Sequence, residues 1–224
     1  MYHSSHSIMS IRKKVSDIRT DYTQSQLDES HISADPIVQF EQWFQQAVDS
    51  EVMEPNAMTL ATSVNGKPTI RIVLLKGFDD QGFHFFTNYE SRKGQELAAN
   101  PAAALNFFWP ELQRQVRIEG MVEKLEADQS DSYYQSRGRG SQIGAWASPQ
   151  SQEIAGREVL EEMVEEVTKK YEGETPIPRP EHWGGYRLKP TYLEFWQGRS
   201  SRLHDRIVYE LNDQGEWRTA RLAP

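Results

Sequence analysis

The amino-acid sequence predicts a mainly β fold: an antiparallel barrel with peripheral helices packed on its outside. In several short segments apolar residues alternate with polar ones, which is the spacing of a strand with one buried face. Hairpin turns such as Asn65-Gly66 join these segments, whereas a doubly wound sheet would alternate strands with helices. We therefore expect about eight strands, most of them paired as hairpins.

The first predicted helix begins at Asp35-Pro36, an N-cap residue followed by proline at the first helical position. The helix ends at Glu54-Pro55-Asn56. Its apolar residues recur at helical spacing, so one face packs on a core. They are Ile37, Phe40, Phe44, Ala47 and Val48.

The remaining elements follow from the same periods and from their turn residues. Further helices are predicted over Glu90–Asn100, over Ala127–Ser136 and from Ser148-Pro149 onward. The predicted strands are Met58–Val64, Ile70–Leu74, Phe83–Thr87, Ala102–Trp109, Arg114–Leu125, Thr191–Gln197, Arg206–Leu211 and Glu216–Leu222.

Composition identifies the chain as globular and excludes several classes of site. Of its 224 residues 37% are hydrophobic and 11% aromatic, which is too many for a disordered chain. Because it contains no Cys, disulfides, thiolate metal sites and cysteine nucleophiles are excluded. The six His are scattered without metal-binding spacing, so no metal site is predicted.

No run of apolar residues is long enough to span a membrane, and the N-terminus lacks the apolar region of a secretory signal. We therefore predict a cytoplasmic protein with no membrane partner. Residues 1–17 are predicted to be a flexible tail, with a short targeting segment as the alternative, and residues 18–224 to be one domain.

The net charge of −8 argues against nucleic-acid binding, but the charges are unevenly distributed. The segment from Glu153 to Glu174 carries eight acidic against three basic residues, which is typical of a solvated helix face. Cations and hydroxyls instead collect near predicted strand ends and in the loop Arg137–Ser141.

Three of these groups suit a phosphate. Arg71 lies in an apolar alternating strand, where it either pairs with an anion or points outward. Ser91-Arg92-Lys93 stands at a helix start, a ready phosphate site, with an exposed basic turn as the alternative. Arg137 and Ser141 add a cation and a hydroxyl in a glycine-flexed loop.

The segment Phe195–Arg206 combines an indole, several arginines and a histidine just after a predicted strand. Indole and guanidinium planes both stack on flat heterocycles, and a histidine exchanges protons near neutral pH. The alternative is a core Trp196 followed by a surface cluster of Arg202, Asp205 and Arg206. Without Cys or metal, redox chemistry here would belong to an organic cofactor.

Several motifs together resemble the pyridoxine (pyridoxamine) 5′-phosphate oxidase family, from about Ile18 to the last residue. The chain departs from the family pattern at Thr20, where some members carry a basic residue, and at Phe86, where some carry tyrosine. The matching motifs are Arg71–Lys76, Phe86–Lys93, Arg114–Val116, Ser141–Trp146, Leu193–Arg206 and Arg221–Pro224.

The resemblance implies an FMN-binding split barrel and a homodimer with FMN at its interface. It implies FMN contacts from residues in five segments of the chain. These are Arg71, Ile72, Val73, Leu74, Leu75, Lys76, Phe86, Thr87, Arg92, Lys93, Gln115, Gln150, Ser151, Trp196 and Arg206.

The resemblance also implies a substrate site, in which Arg202 and His204 are the catalytic residues. Its phosphate would be held by Lys76, Tyr133, Arg137 and Ser141. Arg19 and Tyr22 would belong to an N-terminal segment that covers the occupied site. The implied substrate-binding residues are Arg19, Tyr22, Lys76, Tyr133, Arg137, Ser141, Arg202, Leu203 and His204.

The implied activity is the oxidation of pyridoxine 5′-phosphate or pyridoxamine 5′-phosphate by O2 to pyridoxal 5′-phosphate and H2O2, with NH3 released from the amine. This would place the protein in vitamin B6 synthesis and salvage. Two alternatives stay open. One is another split-barrel flavin enzyme, such as a flavin reductase or an oxidase of a different substrate. The other is a non-catalytic protein that binds flavin or pyridoxal phosphate.

Overall fold

Nine strands form one antiparallel sheet in the computed structural model, which describes residues 20–23 and 25–224. The predicted tail and Arg19 lie outside those residues. The strands are β1 Ala57–Val64, β2 Lys67–Leu74, β3 Gly77–Asp79, β4 Gly82–Asn88, β5 Ala102–Trp109, β6 Arg114–Lys124, β7 Trp183–Gln197, β8 Asp205–Leu211 and β9 Trp217–Arg221. The helices are α1 Pro36–Asp49, α2 Arg92–Ala99, α3 Ala127–Ser136, α4 Arg139–Ala147 and α5 Arg157–Lys170.

The strand order is β2-β1-β5-β6-β7-β4-β3, with β8 paired to β7 and β9 paired to β8. Strand β7 is shared: its first half pairs with β4, and its second half pairs with β8 along the same edge. At the other end of the order β2 contacts β4, so the sheet curls into a barrel that splits where β4 and β8 diverge. The predicted antiparallel barrel with outer helices is confirmed.

Helix α1 packs one face on the core of the barrel. Its predicted cap is confirmed, because Asp35 Oδ1 accepts the backbone N–H of Ile37 at 2.7 Å. The ring of Phe40 is fully buried and lies 4.9 Å from Phe83 and 5.1 Å from Phe107, centroid to centroid. Burial of aromatic rings contributes most of the energy of such a core. The rigid barrel wall that results carries the candidate site.

Two features of α1 differ from the prediction. The helix ends at Asp49, earlier than the proline at position 55 suggested. Val48 is 45% exposed, and the inward position belongs instead to Trp43, whose ring packs edge-on against Phe195 at 5.2 Å.

The predicted Asn65-Gly66 hairpin is confirmed: both residues have positive φ, and Val64 pairs with Lys67.

The connection after α3 was predicted wrongly in two respects. Residues 139–141 form the first turn of α4, so the predicted loop shrinks to Arg137 and Gly138. The next helix begins at Arg157, eight residues after Pro149, because Ser151 adopts a positive φ and Gly156 is fully extended. Neither conformation belongs to a helix.

Strand β7 begins eight residues earlier than predicted. Its first part contains Gly184, Gly185 and Pro190, residues that normally weaken a strand. The glycines are needed because a Cβ at Gly184 would lie 2.2 Å from the Tyr89 hydroxyl, and one at Gly185 would lie 2.5 Å from Leu125. Pro190 faces Gly120 at a bulge in the β6–β7 ladder. The three-residue strand β3 was not predicted.

Helix α5 has no buried residue and holds its charges in exposed pairs such as Glu165–Lys169, so the predicted solvated acidic face is confirmed. Among residues 20–23 and 25–224, no helix is long and apolar enough to cross a membrane.

Candidate functional site

A cavity of about 510 Å³ opens where β2, β4, α2, α3 and the start of β7 meet. Eleven of its thirteen lining residues were predicted from the sequence to contact cofactor or substrate; the others are Gly138 and Trp183. The lining has three cations and no carboxylate, in a chain whose net charge is −8. The predicted lining residues are Ile72, Val73, Leu74, Lys76, Phe86, Thr87, Lys93, Tyr133, Arg137, Ser141 and Gln150.

Lys93 is held on the wall of the cavity by the turn that starts α2. Ser91 caps this helix by accepting the N–H of Gly94, and Lys93 Nζ donates to Thr87 Oγ1 at 3.1 Å and to Gln150 Oε1 at 3.0 Å. Burial lowers the pKa of Lys93, and the nearby charge of Arg71 lowers it further. A half-buried ammonium with only neutral acceptors is suited to receive an anion.

Arg71 faces the barrel side of β2 and has the anionic partner that its position required. Its Nη2 lies 2.7 Å from Glu96 Oε2, and its side chain is only 18% exposed. Arg92 binds the other oxygen of the same carboxylate at 2.9 Å but is 70% exposed. Neither arginine lines the cavity, and neither do Leu75, which is buried in the core, or Ser151, which is exposed.

Arg137 is the least satisfied polar side chain of the cavity. Its guanidinium lies over the indole of Trp183, 4.6 Å from the ring centroid. Its Nη1 is buried and has no hydrogen-bond partner in the described part of the chain. A buried donor without a partner costs about 1–3 kcal/mol, so groups of this kind mark strain or a ligand position.

Trp183 was missed by the sequence analysis, although it anchors this wall. Its ring is nearly parallel to those of Tyr133 and Phe86, and Phe86 and Tyr133 stack with centroids 3.8 Å apart. The following glycines, Gly184 and Gly185, let β4 and α3 approach the strand closely. The Trp-Gly-Gly sequence was therefore a usable signal of close packing.

A second group of predicted residues lies elsewhere on the sheet. Gln115, Trp196 and Arg206 are direct neighbours across β6, β7 and β8. Arg206 forms two hydrogen bonds with the buried carboxylate of Glu194, at 2.7 and 3.0 Å. Although burial alone would raise it, the pKa of Glu194 is lowered by Arg206. This pair fixes the guanidinium beside the indole.

The turn after β7 presents Arg202 and Leu203 to solvent. Ser201 and Arg202 both adopt positive φ, at 57° and 60°, which is a strained conformation for residues with a Cβ. Arg202 forms no ion pair with any described residue, and Leu203 is 69% exposed. The predicted alternative, a surface cluster of Arg202, Asp205 and Arg206, is not formed, because Asp205 pairs with Arg199 and Arg221.

His204 is oriented by the backbone and by two rings. The N–H of Arg199 donates to His204 Nδ1 at 3.0 Å, so the neutral ring carries its proton on Nε2. The imidazole lies 4.6 Å from the indole of Trp196, and Tyr22 lies 5.9 Å from both rings. The Tyr22 segment thus covers Trp196, and Gly198 makes room for it.

Within one chain the two groups are well separated. Trp183 and Trp196 lie thirteen residues apart on β7, which is roughly 40 Å along the strand. Ile72 and Trp196 are four strands apart in the strand order, which is roughly 20 Å measured along the curled sheet. The structure of the single chain therefore brings the cavity residues together but leaves Tyr22, Gln115, Trp196, Arg202, Leu203, His204 and Arg206 at a different place.

Two sequence profiles match the chain. Residues 44–171 match the profile described as pyridoxamine 5′-phosphate oxidase. Residues 183–224 match the one described as the pyridoxine 5′-phosphate oxidase C-terminal dimerisation region. The second match contains the whole Trp196 to Arg206 group.

Curated relatives named pyridoxine/pyridoxamine 5′-phosphate oxidase match most of the chain. The protein of Cupriavidus pinatubonensis is 58% identical over 212 residues, 94% of this chain and 99% of the relative. That of Salinibacter ruber is 56% identical over 213 residues, again 94% of this chain and 99% of the relative.

Two solved structures share the fold. PhzG from Burkholderia lata, in complex with tetrahydrophenazine-1-carboxylic acid, superposes with a TM-score of 0.84 at 32% identity, covering 92% of this chain and 100% of that one. An FMN-binding protein from Nostoc punctiforme, related to pyridoxamine 5′-phosphate oxidase, gives 0.65 at 19% identity, covering 83% and 97%.

Proposed function

The chain belongs to the pyridoxine/pyridoxamine 5′-phosphate oxidase family, and on that premise we propose that it oxidises these two phosphates with FMN as cofactor. Pyridoxine 5′-phosphate and O2 would give pyridoxal 5′-phosphate and H2O2. Pyridoxamine 5′-phosphate, O2 and water would give the same two products and NH3. The observation that carries the substrate assignment is the buried, unpartnered Nη1 of Arg137 in a cavity lined by cations.

The residues present fit a phosphorylated substrate. Arg137, Lys76, Tyr133 and Ser141 line one cavity and offer two cations and two hydroxyls to the same anion. An arginine held over an indole keeps its fork of donors in a restricted range of directions. A phosphate oxygen at Nη1 would satisfy the one buried side-chain donor that has no hydrogen-bond partner among residues 20–23 and 25–224.

The residues present also fit FMN. Lys93 lies at the start of α2, close to Arg71 and Arg92, which both pair with Glu96. These three cations suit the cofactor phosphate. Thr87 and Gln150, which accept hydrogen bonds from Lys93, suit the cofactor's other polar groups. Gln115 and Trp196 offer an amide and an indole to a flavin ring, and Arg206 adds a fixed charge. When bound, FMN would supply the redox chemistry by taking two electrons from the substrate and passing them to O2.

We further propose that the complete site forms between two copies of the chain. The face of the sheet that carries Gln115 and Trp196 also exposes Ile70 (72%), Ile72 (66%), Phe108 (52%) and Met121 (48%). Large apolar side chains exposed on one face of a sheet favour burial against a partner. A homodimer made through this face would bring Trp196 and Arg202 of one chain toward the cavity of the other.

In such a site the chain mainly binds and orients. Arg202 is an exposed cation on a strained turn, suited to hold the substrate ring on the side opposite the flavin. His204 presents Nε2–H, because Nδ1 accepts the Arg199 N–H, and so acts as a hydrogen-bond donor in its neutral form. Tyr22 closes over Trp196 and excludes water from that end.

A direct assay tests the proposed function. The purified protein should be yellow, release FMN on denaturation, and produce one H2O2 per pyridoxal 5′-phosphate formed from either substrate in air. A protein that holds FMN but produces no peroxide from either phosphate would instead be a flavin-binding protein. Turnover that needs a reduced nicotinamide and no vitamer would indicate a flavin reductase.

A further inference from the structure

One carboxylate ties together the basic residues next to the cavity. Glu96 is 12% exposed, and its Oε2 accepts hydrogen bonds from Thr62 at 2.6 Å, from Thr69 at 2.7 Å and from Arg71 Nη2 at 2.7 Å. Its Oε1 accepts Arg92 Nε at 2.9 Å. Four donors bind this one carboxylate, and they come from β1, β2 and α2. The Glu96 carboxylate is therefore a rigid joint between these three elements.

The joint also holds Arg71 in a single orientation. Arg71 Nη1 donates to Thr62 Oγ1 at 2.6 Å, and Nη2 donates to Thr69 Oγ1 at 2.7 Å as well as to Glu96. The guanidinium is therefore held by three side-chain acceptors and by the Leu60 carbonyl oxygen at 3.3 Å. Without Glu96 the two hydroxyls would be its remaining side-chain acceptors, and Arg92 would lose its only ion pair among the described residues.

The charges of this group match a phosphate monoester. Arg71, Arg92 and Lys93 carry three positive charges, and Glu96 carries one negative charge, which leaves +2. A phosphate monoester near neutral pH carries −1.5 to −2. A carboxylate beside an anion site is costly unless it contributes more by orienting the cations than it loses by repulsion.

We propose that Glu96 is a positioning residue for the phosphate end of the cofactor site, acting through Arg71 and Arg92. The inference rests on the proposed assignment of Arg71, Arg92 and Lys93 to the FMN phosphate. Glu96 itself does not line the cavity. Its effect is confined to the phosphate, so riboflavin, which has the same ring and no phosphate, is the natural comparison.

The sign of the effect separates positioning from simple charge. If Glu96 acted only as a nearby negative charge, its neutralisation would strengthen the binding of an anion. If it positions the two arginines, the same change weakens phosphate binding, because each charge-assisted hydrogen bond needs its donor held in place. Glu96→Gln keeps the size of the side chain and changes only the charge and half of its acceptors.

The experiment titrates FMN and riboflavin into the full-length chain freed of flavin, following flavin fluorescence, for wild type, Glu96→Gln and the control Glu90→Gln. Glu90 is an exposed acid one residue before the α2 cap, so its variant removes a similar charge without touching Arg71. We expect Glu96→Gln to weaken FMN about tenfold and riboflavin less than twofold. Glu90→Gln should leave both affinities within twofold.

A milder variant, Thr69→Val, completes the test. Thr69→Val removes one hydrogen bond to Glu96 and one from Arg71 but keeps the Arg71–Glu96 ion pair, so it should weaken FMN in the same direction by a smaller factor. Equal loss of FMN and riboflavin, or tighter FMN binding, in Glu96→Gln would overturn the inference. If wild type itself binds FMN no better than riboflavin, the phosphate assignment fails, and the inference fails with it.

Discussion

Replacing Arg137 by methionine tests whether this arginine serves ligand binding or the stability of the fold. The buried, unpartnered Nη1 costs the free protein about 1–3 kcal/mol, while the contact with Trp183 returns about 0.5–2 kcal/mol. Methionine fills the same space and can place its sulfur on the indole. We therefore expect the free energy of unfolding of the Arg137→Met variant to change by between about −1 and about +2.5 kcal/mol.

The same change should be costly for the phosphorylated substrate. One charge-assisted hydrogen bond contributes about 1.5–3 kcal/mol, so kcat/KM for pyridoxamine 5′-phosphate should fall between about tenfold and about 150-fold. The value for pyridoxamine, which lacks the phosphate, should change little. Peroxide production measures both substrates, and denaturant unfolding measures stability.

Arg139→Met is the matched control for this measurement. Arg139 donates to the carbonyl oxygens of Tyr171 and Glu174, at 2.6 and 3.0 Å, and so closes the end of α5. Its replacement should lower stability and leave the ratio between the two substrates unchanged. The reasoning is refuted if Arg137→Met loses more than about 2 kcal/mol of stability, or if it impairs both substrates equally.

Three further predictions concern other parts of the molecule. Gly198→Ala places a Cβ 2.7 Å from the ring of Tyr22, so it should displace Tyr22 from Trp196. We expect KM to rise severalfold and FMN content to stay unchanged. An unaltered KM would show that Tyr22 does not cover the occupied site. Ile70→Glu puts a charge on the exposed apolar face and should shift sedimentation from dimer to monomer with loss of bound FMN, whereas an intact dimer would show that the interface lies elsewhere. Burial alone would raise the pKa of Glu96, but hydrogen bonds from Thr62, Thr69, Arg71 and Arg92 lower it to about 2, below its unfolded value. The ionised carboxylate therefore stabilises the fold fully above about pH 4.5, and this stabilisation is lost as pH falls toward 2. The difference in free energy of unfolding between wild type and Glu96→Gln should close over that range.

The hairpins of the barrel were predictable because local turn chemistry decides them. Asn65-Gly66 and the cap at Asp35 act within a few residues, and both are present as expected. The first half of β7 was not predictable in the same way. In the sequence alone its glycines predict an interruption of the strand. The reason for the glycine at position 184 is the hydroxyl of Tyr89, which is about ninety residues away in sequence.

The candidate site shows the same division. Cations and hydroxyls near strand ends and in the loop after α3 identified Lys93, Arg137 and Ser141, whereas the family resemblance implied the other eight predicted residues of the cavity lining. Two facts required the structure. Arg71 satisfies its need for an anion with Glu96, a residue that the α2 sequence does not distinguish from any surface acid. The Trp196 to His204 group is remote from the cavity within a chain, which follows only from strand order and register.

The central claim is that each complete site takes residues from two chains, and mixed dimers test it most directly. Arg137→Ala and Arg202→Ala should each be nearly inactive as homodimers. If Arg137 and Arg202 of different chains share a site, a mixed dimer has one site with both defects and one intact site. Random exchange makes half of the dimers mixed, so mixing equal amounts should restore about one quarter of wild-type peroxide production. If the mixture stays as inactive as its components, both residues of a site come from one chain, and the two-chain site is wrong.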